Sequence, residues 1–274
     1  MTSNFYGFGG CSNTKRYFLD KVKNASVAYS LRKLKKIATN CIRVRRDSDN
    51  LESDIGFAGN IIDIPSLLSF VGSGSGYLTK VYDQSGNNNH SIQSTAASQP
   101  RIVNSGVIDI NINALFNGTS STMRTTASAI MNPSNTMSHL FKIAVPASNS
   151  GYKRLLTYFA NSTNYLTIGL YGLLLYFAPC INNVTSQNMM ASNLSTNTWY
   201  NTIFTFNNGI IGINLNNKQV ALQSDTPYSL ANGNTGLYLG SRQGVDTFTN
   251  VNFSEYIMFN SVLSSYEIDI YNRG

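Results

Sequence analysis

The chain has 274 residues and a formal net charge of +7, enough for one large domain or two modest ones with a sizeable core. Charged residues are only 12% of it, against about 25% in a typical globular domain, and Ser, Thr, Asn and Gln make up about 35%. This composition excludes a charge-rich coiled coil, and the 16 Tyr and 14 Phe exclude a wholly disordered chain.

The N-terminal segment is strongly basic. Residues 1–46 contain eleven Lys and Arg, against Asp20 as their single acidic residue. Residues 1–24 show glycines and aromatic residues without periodicity, so we predict an arm that docks on an acidic protein surface. The anchoring residues of this arm are Lys15, Arg16, Lys21 and Lys23. Nucleic acid is not the expected partner, because no helix-turn-helix, zinc-finger or RNA-recognition signature is present.

Two short helices are predicted next. Residues 25–38 carry apolar side chains at helical spacing, with lysines off the stripe, which indicates an amphipathic helix. The apolar residues of the stripe are Ala28, Leu31, Leu34 and Ala38. Residues 65–71 start with Pro65 and precede Gly72, a pattern typical of a short helix with proline in its first turn.

Between these helices, residues 42–45 alternate apolar and basic side chains, which predicts a half-buried strand. An acidic turn follows immediately, so we predict an ion-pair cluster within the fold. Its members are Arg43, Arg45, Arg46, Asp47, Asp49 and Asp54.

From residue 107 onward, short β-type runs alternate with Gly, Asn and Ser every 8 to 12 residues or so. They span residues 138–145, 154–159, 165–170, 173–177, 199–206, 210–215, 236–240 and 252–259. Such spacing is typical of a sandwich or jelly roll. No composition break divides residues 25–274, so we expect one compact unit after the arm.

No cofactor or metal ion is expected. Cys11, Cys41 and Cys180 are odd in number and widely spaced, which fits neither a disulfide framework nor a metal-ligand set. Neither His90 nor His139 has a partner at ligand spacing. No apolar run reaches about 18 residues, and the N-terminus is polar, so we expect neither membrane insertion nor a leader peptide.

The loop after the predicted strand 77–82 contains the most suggestive polar residues. It includes Tyr82, Asp83, Gln84, Ser85, Gly86, Asn87 and His90. One interpretation makes Ser85 a nucleophile held by His90. The favoured interpretation is structural: an aspartate two residues before a serine commonly bonds backbone N–H groups in an Asx turn.

Two parts of the sequence resemble a known family. The first part consists of residues 28–34, 42–49 and 54–56, and the second consists of residues 82–90. Together they resemble the start of the catalytic domain of fungal-type alpha-L-arabinofuranosidase B, over residues 25–105. The same block occurs in phage virion and tail-associated proteins. Residues 106–274 resemble a laminin-G module. The resemblance implies an all-β, concanavalin A-like jelly-roll sandwich with one or two short N-terminal helices.

The resemblance raises the question of glycosidase chemistry, since retaining hydrolysis uses two opposed carboxyl groups. Rough alignment with the family places Tyr171 at the position of the nucleophilic glutamate and Asp246 at that of the acid. No Asp or Glu stands between Asp109 and Asp225, and Cys180 lacks the adjacent cysteine of the family's pocket. We therefore predict a glycosidase scaffold without catalytic residues, and no enzyme.

The predicted function is that of a non-enzymatic virion structural protein: a capsid decoration protein, head fibre or tail-associated protein. Its expected location is the virion. Its expected partners are other capsid or tail proteins through the arm, host-surface glycans and further copies of the chain. The alternatives are a carbohydrate-binding module and an arabinofuranosidase-like hydrolase. Five tyrosines favour sugar stacking, although strand packing explains each of them more simply: Tyr152, Tyr158, Tyr165, Tyr171 and Tyr176.

Overall fold

The computed structural model describes residues 17–108, 112–126, 136–161, 164–181, 184–185, 189–224 and 236–273. These residues form strands and three short helices, which confirms the predicted all-β class. The strands are β1 Ala25–Ser30, β2 Asn40–Arg46, β3 Glu52–Ala58, β4 Ile61–Ile62, β5 Gly76–Val81, β6 Ser91–Ile92, β7 Arg101–Asn104, β8 Val107–Ile108, β9 Ala114–Asn117, β10 Met123–Thr125, β11 Thr136–Ala144, β12 Asn149–Asn161, β13 Asn164–Gly172, β14 Leu174–Ile181, β15 Val184–Thr185, β16 Met189–Asn193, β17 Trp199–Asn207, β18 Ile210–Leu215, β19 Lys218–Ser224, β20 Gly236–Leu239 and β21 Asn250–Phe259. The helices are α1 Phe18–Lys21, α2 Ile64–Val71 and α3 Ser265–Asn272.

The strands form two antiparallel layers. The first layer runs β19–β18–β17–β11–β21, and β21 also pairs with β1 and β9. The second layer runs β16–β14–β13–β12–β20–β10, and β6, β5, β2 and β3 continue it. Strand β7 joins the layers, because it pairs with both β5 and β9.

The inner faces of the two layers pack against each other. Phe177 of the second layer stacks on Phe204 of the first, with ring centroids 6.3 Å apart, and Phe141 meets Phe204 edge-on. All three rings are fully buried. Each buried side chain of this size contributes about 1.5–3 kcal/mol relative to an exposed one, so this shared core holds the sandwich together.

The outer face of the first layer is covered by the two terminal helices. Phe18 of α1 packs edge-on against Phe259 of β21 and Tyr271 of α3, at centroid distances of 6.2 and 5.5 Å. Helix α3 begins with a capping box, in which Ser264 and Glu267 bond each other's backbone N–H groups. The outer face of the first layer is therefore partly a helix-packing surface.

The structure bears on two predictions about the N-terminal part, and the first of them is wrong. Residues 25–38 are not a helix: residues 25–30 form β1, and a loop follows. Strand β1 is buried on both faces, with Val27 and Tyr29 in the central core and Ala28 under the helices, so its apolar residues show no strand alternation. The predicted arm, residues 1–24, lies outside the described residues up to residue 16. In its described part, Phe18–Lys21 form α1, and Phe18, Leu19 and Val22 are buried rather than extended as an arm.

The short helix predicted over residues 65–71 is confirmed as α2. The Asp63 carboxylate caps it by accepting a hydrogen bond from the Ser66 N–H at 3.1 Å, and Pro65 lies in its first turn. Gly72 ends the helix at a φ of 68°, in the left-handed region that glycine tolerates best.

Candidate functional site

The loop of residues 82–90 is built around the Asp83 carboxylate. Its Oδ1 accepts hydrogen bonds from the N–H groups of Ala28 and Ser85, at 2.8 and 2.9 Å. Its Oδ2 accepts from the Ser85 hydroxyl at 2.7 Å and the Asn89 N–H at 3.0 Å. One carboxylate therefore holds the turn and fastens it to β1, as an Asx turn does.

The amide side chains of the loop continue this attachment. Gln84 accepts from the Leu34 N–H at 2.7 Å and donates to the Ser30 carbonyl at 2.9 Å. Asn87 donates to the carbonyls of Ala25 and Ser26, both at 3.0 Å. The loop thus binds the backbone along β1 and beyond its end, and we call residues 82–90 the β1 clamp.

The nucleophile arrangement considered for this loop is not formed. The Ser85 hydroxyl donates to Asp83, and the His90 Nδ1 accepts from the Asp83 N–H at 3.1 Å. The His90 ring packs edge-on against Tyr82 at 5.0 Å. Burial lowers the pKa of His90, so the ring is neutral at pH 7. Gly86 turns the loop at a φ of 101°.

The predicted ion-pair residues form two separate pairs rather than one cluster. Arg43 binds Asp54 through its Nε at 2.6 Å, and Arg46 binds Asp49 at 2.6 Å. The remaining two residues bond elsewhere: Arg45 donates to Gln99 and Asn50, and Asp47 accepts from the Ser75 N–H. The Arg46 guanidinium lowers the pKa of Asp49 to about 2. Tyr82 donates to Asp54 at 2.7 Å, which connects the β1 clamp to the first pair.

The predicted anchoring residues are only partly described. Lys15 and Arg16 lie outside the described residues. Lys21 ends α1 and Lys23 follows it, and both side chains are exposed.

The tyrosines on β12, β13 and β14 divide between the two faces of the second layer. Tyr152 lies opposite Tyr171, with ring centroids 4.7 Å apart, and Tyr176 meets Tyr152 edge-on at 5.2 Å. Tyr158 instead belongs to the core, opposite Leu166. The switch arises from a β-bulge between Arg154 and Leu156, which inserts one residue and reverses the alternation of β12.

Arg154 connects the outer tyrosines to the segment after β20. Its backbone N–H donates to the Thr247 carbonyl at 2.9 Å. Its guanidinium lies 5.4 Å from the Tyr176 ring centroid and hydrogen-bonds the Tyr176 hydroxyl. Burial raises the pKa of Tyr176 to about 12. Gly169 makes room for this contact, because a Cβ there would lie 2.6 Å from the tyrosine oxygen.

Asp246 directly precedes Thr247, whose carbonyl accepts a hydrogen bond from the Arg154 N–H, and its carboxylate pairs with Arg242. Arg242 donates to it through Nε at 2.9 Å and through a second guanidinium nitrogen, and both side chains are more than 40% exposed. The hydrogen bond to Asp246 raises the pKa of Arg242, and Tyr165 adds a smaller contribution in the same direction. We call this surface the tyrosine face; it comprises Tyr152, Arg154, Tyr165, Tyr171, Arg242 and Asp246, together with the buried Tyr176 beneath them.

Sequence reasoning singled out Asp246 and the tyrosines but missed the two arginines. Arg154 shares the outer face with Tyr152 by strand alternation, just before the β12 bulge, and Arg242 is brought to it by the turn that pairs it with Asp246. The small residue at 169, between bulky neighbours on β13, is the one signal that something large approaches that strand.

The described residues contain neither a cluster of metal ligands nor a helix suited to crossing a membrane. No three His, Cys, Asp or Glu side chains in this part of the chain come together as metal ligands. Among the helices that the structure describes, none has the length and apolar character needed to cross a membrane.

Comparison with known proteins gives a family and several structural neighbours. The model of the concanavalin A-like lectin/glucanases superfamily matches residues 104–269, more than half of the chain. No curated protein matches the sequence. A mutant GH54 α-L-arabinofuranosidase soaked with 4-nitrophenyl α-L-arabinofuranoside is similar at a TM-score of 0.69 and 14% identity, over 91% of this chain and 62% of that one.

Two further solved structures are similar. An arabinofuranosidase complexed with arabinofuranosyl-alpha-1,2-xylobiose has a TM-score of 0.64 at 15% identity, over 91% of this chain and 61% of that one. Trypanosoma rangeli sialidase has a TM-score of 0.52 at 14% identity, over 71% of this chain and 30% of that one. The chain thus spans about three fifths of the arabinofuranosidases, and at these identities the likeness establishes the fold.

These findings contradict one prediction and support part of another. The prediction of no enzyme is contradicted, because the solved structures that share this fold are glycoside hydrolases. The carbohydrate part of the predicted function gains support, and the virion part gains none. The sandwich, the match over residues 104–269 and the arabinofuranosidase likeness agree: the chain belongs to the concanavalin A-like lectin/glucanases superfamily.

Proposed function

We propose that this chain recognises carbohydrate through the tyrosine face. The observation that supports the proposal is the exposed pair Tyr152 and Tyr171, whose rings contact each other. The Arg154 guanidinium is linked to this pair through Tyr176, which contacts both Arg154 and Tyr152. The C–H groups of a sugar ring pack against aromatic faces, while nearby polar groups fix its hydroxyls. A surface with both kinds of group suits a saccharide better than a purely apolar ligand.

The charged residues of the face have complementary roles. Arg242 and Asp246 form a partly exposed pair, so they offer both donors and acceptors to sugar hydroxyls. Arg154 is held by Tyr176 and by the backbone contact with Thr247, which keeps its guanidinium in one place. Fixed polar groups bind a ligand with less loss of conformational entropy than mobile ones.

Calorimetric titration with arabinan and arabinoxylan oligosaccharides tests the proposal. We expect Tyr152→Ala and Tyr171→Ala each to weaken binding at least tenfold. Tyr266→Ala is the matched control, because Tyr266 is 70% exposed on α3, on the other layer. Binding that survives both substitutions, or that the control weakens equally, contradicts the proposal.

Glycoside hydrolysis is the second candidate function, favoured by the fold shared with arabinofuranosidases. Asp246 is the carboxyl group that the described structure places at the tyrosine face. Most retaining glycosidases use a carboxylate nucleophile, whereas sialidases use a tyrosine, and Tyr171 shares the face with Asp246.

Release of 4-nitrophenol from 4-nitrophenyl α-L-arabinofuranoside tests this second candidate. We expect Asp246→Asn and Tyr171→Phe to abolish turnover, while Tyr266→Phe leaves it unchanged. The substitution Tyr171→Phe keeps the stacking ring, so it separates catalysis from binding. Turnover that persists in both variants argues against this chemistry.

Attachment to other virion proteins stays a prediction, and the fold changes how it is tested. Removing residues 1–24 would delete Phe18, Leu19 and Val22 from the core. The informative deletion is therefore residues 1–16, with Lys21→Ala and Lys23→Ala as separate variants.

A further inference from the structure

A second pocket, of about 410 Å³, opens on the first layer. Its walls include Leu31 after β1, Ile61 of β4 and Ile112 before β9, together with Lys142 of β11 and Trp199 of β17. Trp199 is the single tryptophan of the chain. The pocket is large enough for one small ring-shaped ligand, and neither the tyrosine face nor the β1 clamp contributes to it.

Strand register explains how Lys142 and Trp199 come together. In the pairing of β11 with β17, Ala144 lies opposite Trp199 and Lys142 lies opposite Asn201. Lys142 and Trp199 are therefore diagonal neighbours on one face of the sheet, within reach of long side chains. Leu140, two residues before Lys142, packs under the terminal helices, so this face is the outer face of the first layer.

The opposite wall is fixed by backbone contacts. The Leu31 N–H donates to the Ser254 carbonyl at 3.1 Å, and the Ile62 N–H donates to the Leu31 carbonyl at 2.8 Å. Ile112 adopts a φ of 49°, an unusual and strained conformation for a β-branched residue. The two backbone hydrogen bonds of Leu31 hold the apolar wall of the pocket in place without any ligand.

The pocket has an excess of positive charge. Arg32, which also lines it, forms a two-bonded ion pair with Glu255 at 2.7 and 2.9 Å, and the Glu255 side chain is 1% exposed. Ser30 donates to the same carboxylate at 2.5 Å. Lys142 lies opposite Glu255 in the sheet, but its ammonium makes no hydrogen bond or ion pair within the part of the chain that the structure describes. One uncompensated cation therefore faces an aromatic and apolar wall.

We infer that this pocket binds the carboxylate-bearing ring of an acidic saccharide. The ring packs against Trp199 and the aliphatic wall, and the carboxylate pairs with Lys142. A neutral sugar leaves the ammonium unpaired, and a small anion without a ring leaves the indole uncovered, so both features are needed for affinity. This inference does not rest on the proposed function, because the two sites lie on the outer faces of different layers.

Trp199 provides the readout, since it is the only source of indole emission. We expect D-glucuronate, added at constant ionic strength, to change the Trp199 emission saturably, with D-glucose and acetate at least tenfold weaker. Calorimetry on the same samples detects binding even if the emission is insensitive. Cyclohexanecarboxylate, a ring acid without hydroxyls, should also bind at least tenfold more weakly than glucuronate, because it offers no hydroxyl group to Arg32 and Ser254, the polar residues that line the pocket beside Lys142.

Variants at residue 142 test the role of the ammonium. Lys142→Met keeps the aliphatic stem and should weaken glucuronate binding at least tenfold, and Lys142→Arg should restore most of it. Lys218→Met, at an exposed position on β19, is the matched control and should bind normally. Unchanged thermal unfolding of each variant confirms that the fold is intact.

Several results would overturn the inference. They are equal affinity for glucose and glucuronate, equal affinity for cyclohexanecarboxylate, and normal binding by Lys142→Met. Loss of glucuronate binding in Tyr152→Ala would move the acidic ligand to the tyrosine face. If Tyr152→Ala loses only the neutral oligosaccharides, the two sites are independent.

Discussion

The β1 clamp and the tyrosine face contain similar side chains but use them differently. In the clamp, Asp83 and Ser85 are occupied by hydrogen bonds to each other and to the backbone of β1. In the tyrosine face, Asp246 is bonded to Arg242 yet both remain more than 40% exposed. The clamp is a short sequence motif that stabilises the fold, whereas the face is assembled from distant segments by strand register. The difference teaches that a polar sequence motif is not by itself a binding site. Its polar groups can bind a ligand only where the fold leaves them exposed.

The largest expected effect follows from removing the centre of the clamp. Asp83→Ala deprives the N–H groups of Ala28, Ser85 and Asn89 of their acceptor, so we expect unfolding free energy to fall by about 3–5 kcal/mol. Urea unfolding measures the change. Asp83→Asn keeps one acceptor oxygen and should lose about half as much. A loss below about 1 kcal/mol for Asp83→Ala would show that the loop does not hold β1.

A smaller loss of stability is expected beneath the tyrosine face. In Gly169→Ala the new Cβ would overlap the Lys153 carbonyl and crowd the Tyr176 hydroxyl. We expect a loss of about 1–3 kcal/mol from this overpacking, together with weaker oligosaccharide binding because Arg154 loses its partner. Unfolding and calorimetric titration of one sample report both. Weaker stability with unchanged binding would separate Tyr176 from the binding surface.

The exposed tyrosines should matter to binding and hardly to stability. Tyr171 is 44% exposed, so Tyr171→Ala should change the unfolding free energy by less than about 1 kcal/mol while it removes oligosaccharide binding. The contrast with Asp83→Ala is the direct test of the comparison. A large loss of stability in Tyr171→Ala would show that the tyrosine pair contributes to packing of the fold rather than to ligand binding.

The smallest effect concerns the ion pair of Arg46 with Asp49, at the end of β2. Arg46 lowers the pKa of Asp49 to about 2, and an NMR titration of the carboxyl group should find that value. Because the folded-state pKa is below the unfolded one, the pair stabilises the protein above about pH 4, and this contribution disappears as pH falls towards 2. Arg46→Met should return the pKa of Asp49 towards its ordinary range. Since both groups are exposed, the change in stability should be slight.

The sequence predicted the strands and turns well wherever Gly and Asn residues clearly marked the turns between strands. Asn208 and Gly209 adopt positive φ between β17 and β18, as the Asn-Asn-Gly run predicts. The helix predicted over residues 25–38 failed because β1 is buried on both faces, which removes the alternation that marks a strand. Helix α3 was readable from its capping box, Ser264 with Glu267, but was not predicted.

The candidate site was less predictable, for a physical reason. Tyr152 and Tyr158 are six residues apart and would share a face of a regular strand, yet the bulge before Leu156 sends them to opposite sides. Nothing in the side chains of residues 154–156 signals that bulge. The pairing of Arg242 with Asp246 likewise depends on a local turn, in which Gln243 and Gly244 adopt positive φ.

The packing of α1 against α3 also orients the molecule. Phe18 touches Tyr271, so residues 17 and 273 leave the sandwich near one another, over the first layer. Both positions therefore lie on the side of the sandwich opposite Tyr152 and Tyr171, which leaves the tyrosine face clear of them.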